Sequence, residues 1–268
     1  MSGNFSPPHT PRSPAVTVAV PVEAAVAMML VFGRVGAMLM LLPSIGERGI
    51  PARARLGLAL AVSFVLAPTV RDGFGALPRT LWGLGFLLMG EVATGLLLGL
   101  ALRLVAGALQ AAGSVIALQL GLSFAQAVDP SQGEQGALLG NFLTVLGVVL
   151  IFAADLHHLF LTGLHDSYAL FRPGAGLPTG DLARFAIETT AQCFRLSLQI
   201  SAPFLALGLL FYAGLGVLGR LMPQLQIFFL GMPAGILLGF AVLVLVLAPA
   251  MAWFLGAVEA SAARFVLP

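Results

Sequence analysis

The 268 residues are 59% hydrophobic and only 9% charged, with a net charge of +2 and a mean hydropathy of +1.01. Soluble domains carry about 25% charged residues, so this composition excludes a water-soluble fold, and the small net charge leaves no nucleic-acid footprint. All thirteen basic residues are Arg and the single cysteine is Cys193, which excludes a Lys-containing phosphate loop, an internal disulfide and a Cys-based zinc or iron–sulfur centre.

Residues 1–14 (MSGNFSPPHTPRSP) are rich in Pro and Ser and read as a disordered tail. From residue 15 to 268 the chain reads as one helical membrane domain. The next apolar run contains Pro21 and Glu23 and leads into more membrane-like sequence, so it does not read as a cleaved signal peptide. A spanning helix needs about 20 apolar residues. Candidate segments are 22–43, 54–70, 80–102, 104–128, 138–165, 182–219 and 227–258. The stretch 182–219 is long, and Pro203 is expected to break it. Breaks fall at 41–55, 68–79, 171–181 and 219–226, each combining Gly or Pro with charge. The fold class is therefore all-α, a polytopic membrane protein.

Glycines recur inside these segments at Gly95 and Gly99, Gly107 and Gly113, Gly208, Gly214 and Gly216, and Gly231, Gly235 and Gly239. Small residues four apart let helix backbones approach closely. Charges also interrupt the apolar runs: Glu23, Arg34, Glu91, Arg103, Asp155, Arg195 and Arg220. Such groups face protein or water, or reach the interface near helix ends. Glu91 lies well inside its run, which predicts a protein-facing position. Arg48, Arg53 and Arg55 fall in the first loop and Arg71 and Arg79 in the second, so the positive-inside rule gives no orientation. That failure predicts that some apolar segments are half-hairpins packed in protein rather than full spans. Residues 50–68 and 232–249 resemble each other around matching prolines, a weak sign of a duplicated helical hairpin.

The stretch from Leu118 to Phe142 is Gly-rich and partly polar. Irregular backbone cannot face lipid, so it must sit inside protein, line a cavity or lie in water. Within it, Gly121-Leu122-Ser123 has the form of a serine-protease turn, and His157, His158 and His165 follow downstream. No oxyanion donor or orienting group accompanies Ser123. Asp155, His157, His158, His165 and Asp166 have metal-ligand chemistry, but read more simply as the polar end of a membrane helix. A small-molecule transporter with broken helices would need a convergent polar cluster at mid-membrane, and none is visible. No cofactor and no metal is expected.

Three stretches carry a family resemblance: 43–68 with its Gly-Glu-Arg-x-x-Pro turn, 121–152 with Gly-Leu-Ser-Phe-Ala and Val-Asp-Pro, and 220–239 with Arg-Leu-Met-Pro-Gln. Together they resemble the FliR/SctT family of type III secretion export-gate proteins, in order and overall length. The resemblance implies kinked helical hairpins packed in a hetero-oligomeric gate, much of it raised out of the bilayer plane. Implied partners are FliP and FliQ, with FlhB and FlhA nearby, membrane lipid, and unfolded flagellar proteins as export substrates, but no nucleic acid. The implied location is the bacterial inner membrane at the flagellar basal body, and the implied role is non-enzymatic. A virulence-type injectisome counterpart shares fold and mechanism. The segment around 121–136 corresponds to the family's plug loop, with Leu120, Gly121, Leu122, Ser123, Phe124, Asp129, Pro130 and Gly133 as pore-plug residues. Apolar side chains there would gate by excluding water, and glycines would permit bending. Glu47 and Arg48, in the first polar turn, are the expected intersubunit contacts.

Overall fold

The computed structural model describes residues 22–43, 45–46, 50–75, 78, 80–122, 138–176, 179–222 and 227–267. Among them every regular element is helical: α1 (Val22–Leu41), α2 (Ala52–Val70), α3 (Leu81–Gln119), α4 (Leu138–Ala153), α5 (Leu156–Leu170), α6 (Thr179–Leu221) and α7 (Ile227–Ala263), with a short 3-10 turn at Arg71–Gly73. Five of these are long and apolar enough to cross a membrane, or six if the α4–α5 pair counts as one span.

α3 is the central post, packed against α1, α4, α6 and α7. Thr80 starts it, its Oγ1 accepting from the Gly83 N–H at 3.3 Å. The sequence pattern predicts two segments here, 80–102 and 104–128. The structure instead carries one helix straight through Arg103, which is exposed. No Gly-Pro break lies at that point, and a long guanidinium stem can lie along the helix with its head outside. α3 is then 39 residues long, or about 58 Å at about 1.5 Å per residue. That is nearly twice the ~30 Å of a bilayer's hydrocarbon core.

The opposite correction applies to 138–165, which the sequence pattern predicts as one segment. It is two helices bent by 76° at Ala154–Asp155. Asp155 adopts the left-handed conformation (φ 56°), the one non-glycine residue to do so among those described. Asp tolerates this region better than most residues. α6, by contrast, is not broken by Pro203 but runs from Thr179 to Leu221. The Ser201 hydroxyl, two residues earlier, bonds back to Ser197 O at 2.8 Å, while the carbonyl that loses its donor at Pro203 is that of Gln199. Likewise α2 continues through Pro68 and α7 through Pro249, so the matching Leu-Ala-Pro sequences do not end their helices.

Glycine decides where helices touch. A Cβ on Gly95 would run into the backbone of Arg34, and one on Gly99 would lie 2.7 Å from Met38 O. These two glycines seat α3 directly on α1, as their spacing predicts. A Cβ on Gly113 would collide with the backbone of Gly140, which brings α3 against α4. On α7, Gly231 faces Leu215, Gly235 faces Phe211, and Gly239 faces Leu120. Among the described residues nothing lies within 4 Å of a Cβ added at Gly107, Gly214 or Gly216, so their small faces are turned outward.

Candidate functional site

Two constellations stand out among the described residues. The first is a knot of buried charge. Arg34 on α1 and Glu91 on α3 are each 1% exposed. Arg34 Nε donates to Glu91 Oε2 at 2.8 Å, and Arg34 Nη2 donates to Glu91 Oε1 at 3.0 Å. The pair is thus bidentate, the geometry that suits a planar guanidinium best. Arg34 also donates to Ser167 Oγ at 3.0 Å and to the Phe171 carbonyl at 2.8 Å. The Tyr168 ring lies 3.9 Å below the guanidinium carbon, a cation–π arrangement. One side chain therefore ties α1, α3 and α5 together. Sequence analysis predicts the protein-facing Glu91, but not its partner 57 positions away. The only available signal is that Arg34, too, interrupts an apolar run.

The remaining charges that interrupt apolar runs behave differently. Glu23, Arg103, Asp155, Arg195 and Arg220 are all exposed. The hydroxyls of Ser63 and Thr94 are satisfied locally, bonding to Ala59 O at 2.6 Å and Gly90 O at 2.9 Å. Such back-bonding lets a hydroxyl sit in an apolar helix without a distant partner.

The second constellation is the C-terminal end of α3, the root of the segment predicted as a plug. Leu120 N–H donates to Ile116 O at 2.9 Å, Gly121 N–H to Leu118 O at 3.1 Å, and Leu122 N–H to Ala117 O at 3.0 Å. Gly121 has φ +73°. This pattern is a Schellman end, in which a residue in the left-handed region reverses the chain and caps the last carbonyls. Glycine is required there because a Cβ would be strained. Leu120 is 3% exposed and packs into the gap left by Gly239 on α7. Gln119 similarly fills the space over Gly208 on α6. A cavity of about 430 Å³ lies beside this root, bordered by Leu120, Gly121, Tyr212 and Met232 among others.

Of the predicted plug residues, Leu120, Gly121 and Leu122 fall within the described part of the chain. Ser123, Phe124, Asp129, Pro130 and Gly133 lie outside it, as do Glu47 and Arg48. The protease arrangement around Ser123 therefore has no described geometry. The histidines do: His165 Nδ1 lies 2.9 Å from Asp166 Oδ1, while Asp166 Oδ2 accepts from Leu267 N–H at 3.0 Å. Asp155, His157 and His158 have ligand atoms within 4.8 Å of one another, at the exposed α4–α5 bend. The side chains of His158 and Asp155 are 69% and 77% exposed, as befits the polar end of a helix.

The chain matches the bacterial export proteins, family 1, over residues 25–261. It is 44% identical over 225 residues to the flagellar biosynthetic protein FliR of Caulobacter vibrioides, covering 84% of this chain and 90% of that one. It is 31% identical to the protein of the same name from Bacillus subtilis, covering 81% and 85% of the two chains. The Escherichia coli FliR is 30% identical, over 78% and 80%. The matched region takes in the ion-pair knot, the α3 end and both long hairpin helices, so the chain belongs to the bacterial export proteins, family 1, and is a component of the flagellar type III export apparatus.

Proposed function

We propose that this chain forms part of the wall and seal of the export gate in the bacterial inner membrane, at the flagellar basal body, through which unfolded flagellar proteins leave the cell. FliP and FliQ are its partners in the gate, with FlhB and FlhA alongside. The helical domain from residue 15 onward carries this role, and no catalytic step of its own is needed. The buried polar groups support that view. Arg34, Glu91 and Ser167 are engaged with one another, which leaves them to hold helices rather than to act on a substrate.

The observation that carries the sealing role is the end of α3. A helix that ends at a Schellman glycine, with its last leucine lodged against Gly239, gives the following segment a rigid root. A plug needs such a root: the loop must yield to a passing chain and then return to one resting position. In this reading Leu120 is the anchor, and Leu122 and Phe124 supply the apolar constriction. Ser123, Asp129, Pro130 and Gly133 shape the loop between them. Glu47 and Arg48 contact a neighbouring subunit.

Deleting residues 121–133 tests the seal. Ion leakage with the apparatus still assembled is the expected result. A tight membrane in an assembled apparatus would mean that closure lies elsewhere. Reversal of Glu47 to Arg tests the contact, since assembly should fall if that carboxylate is paired and stay unchanged if it is solvated.

A further inference from the structure

α6 carries two different exposed stripes at the same height. Glu188, Gln192, Arg195 and Gln199 follow the i, i+4, i+7, i+11 spacing of one helix face. Ile187, Phe194 and Leu198, each one residue earlier and so about 100° round the helix, are 70%, 71% and 62% exposed. The polar stripe faces a groove of about 640 Å³ whose other wall is α7, at Trp253 and Gly256, with Arg264 just past the helix end. Both stripes lie on a helix of membrane-spanning length and hydropathy.

The charges of the groove do not balance. Glu188 has Arg264 at 3.9 Å, whereas Arg195 forms no ion pair among the described residues and is exposed. Two guanidiniums thus face one carboxylate. The α7 wall of the groove is low: among the described residues nothing lies within 4 Å of where a Gly256 Cβ would stand. Small residues of this kind allow a second helix to approach closely. An apolar stripe beside an unpaired Arg and a half-exposed Trp (Trp253, 47%) matches the composition of protein interfaces, where Trp and Arg are the commonest anchors.

We infer that this groove is a docking site for a transmembrane helix of another subunit of the export apparatus, one that brings a carboxylate to Arg195. The inference rests on the export-gate reading and adds a particular contact surface to it. Ile187, Phe194 and Leu198 pack against the same neighbour. Arg195 positions that neighbour by charge, and Gly256 by leaving room.

The test uses the full apparatus, produced from its own genes with an affinity tag on this chain. The other membrane subunits that co-purify are quantified by mass spectrometry. Arg195→Glu should lower their recovery about thirtyfold or more, as expected for loss of one partner of a desolvated pair, and Arg195→Lys should retain most of it. Gly256→Leu, at a position where an added Cβ meets none of the described residues within 4 Å, should lower recovery in the same way while the chain's own membrane level stays unchanged. Full recovery of the subunits with Arg195→Glu and Gly256→Leu would overturn the inference. So would ready labelling of Gln199→Cys by a charged maleimide in the assembled apparatus, in a Cys193→Ser background, because the groove would then be open to water. If the unaltered tagged chain brings down no apparatus subunit at all, the export-gate reading itself fails, an outcome separate from either of these.

Discussion

α1 and α3 differ from α6 and α7 in what they do with the same apolar sequence. The membrane-length stretches of α1 and α3 are 39% and 56% buried, while those of α6 and α7, comparably apolar, are only 22% and 17% buried. Hydropathy alone does not separate them, but partners do. The α1–α3 contact closes on itself through Gly95, Gly99 and the Arg34–Glu91 pair. The α6–α7 hairpin touches itself along Gly231 and Gly235 and leaves Leu209, Leu210, Val244 and Leu245 between 73% and 79% exposed. One region is a finished core, and the other is half of a contact that lipid or another subunit must complete.

The sharpest way to break this comparison is to open the core at its charge. Arg cannot lose its proton in a protein, so Glu91→Ala leaves a permanent cation buried beside Ser167 and the Phe171 carbonyl. We expect a cost of about 3–5 kcal/mol and near-complete loss of the chain from the membrane, read as steady-state abundance. Arg34→Ala should be milder, because the stranded Glu91 can neutralise itself by binding a proton. Replacing both with Leu should be milder than either single change, since no charge is left unpaired. A double variant as damaging as Glu91→Ala would show that the knot matters for its shape rather than for its charge balance.

The second test sets a closed glycine against an open one. Gly113→Leu must push α4 away from α3, because a Cβ there meets the backbone of Gly140. Overpacking of this kind costs about 1–3 kcal/mol, and abundance should fall accordingly. At Gly107 an added Cβ meets none of the described residues within 4 Å, and Gly107→Leu should leave abundance unchanged. If Gly107→Leu instead abolishes flagellar export at normal abundance, that outward face of α3 is covered by a partner, and the comparison extends from the hairpin to the central helix.

The third test bears on the α3 end. Gly121→Ala places a Cβ at φ +73° and should cost about 1–2 kcal/mol. A global loss of that size is tolerable for a membrane domain. The sensitive readout is therefore the resting position of the following segment, seen as ion leakage across the membrane. No change in leakage and none in thermal stability would mean that the Schellman turn does not set the loop's course.

Much of this architecture is legible in the sequence for a physical reason. Helix ends at 41, 70 and 221 are marked by Gly, Pro and charge together, and the structure ends its helices there. The Gly95–Gly99 and Gly231–Gly235–Gly239 spacings announce close packing, because only a missing side chain permits it. Two features escape. The continuity of α3 through Arg103 is hidden because an exposed charge on a long flexible stem looks, in sequence, like a helix end. The α4–α5 bend is hidden because Phe-Ala-Ala-Asp-Leu-His-His contains neither Gly nor Pro. The Arg34–Glu91 pairing is half legible: each charge is conspicuous alone, but the partnership is a tertiary fact across 57 positions. At the candidate plug, the structure supplies the root at Leu120–Leu122, where nothing in the Gly-rich sequence marks Gly121 as the left-handed residue that ends α3.

That bend supplies the smallest effect and the finest discrimination between the two regions. Asp155 is left-handed without being glycine, and its carboxylate, 3.9 Å from His158 and largely exposed, contributes little through charge. Asp155→Ala loses the residue type that tolerates this conformation and should cost about 1 kcal/mol. Asp155→Gly relieves the same strain but adds about 0.4–1 kcal/mol of unfolded-state entropy to be lost on folding. The two contributions nearly cancel, and the variant should sit within about 0.5 kcal/mol of the parent. Thermal unfolding of the purified chain in detergent would rank the three. A lower midpoint for Ala than for Gly means that the 76° angle is set locally, by the backbone of one residue. Equal midpoints mean that it is imposed by the core, through the grip of Arg34 on Ser167 and Phe171, and the bend then belongs to the closed half of the molecule.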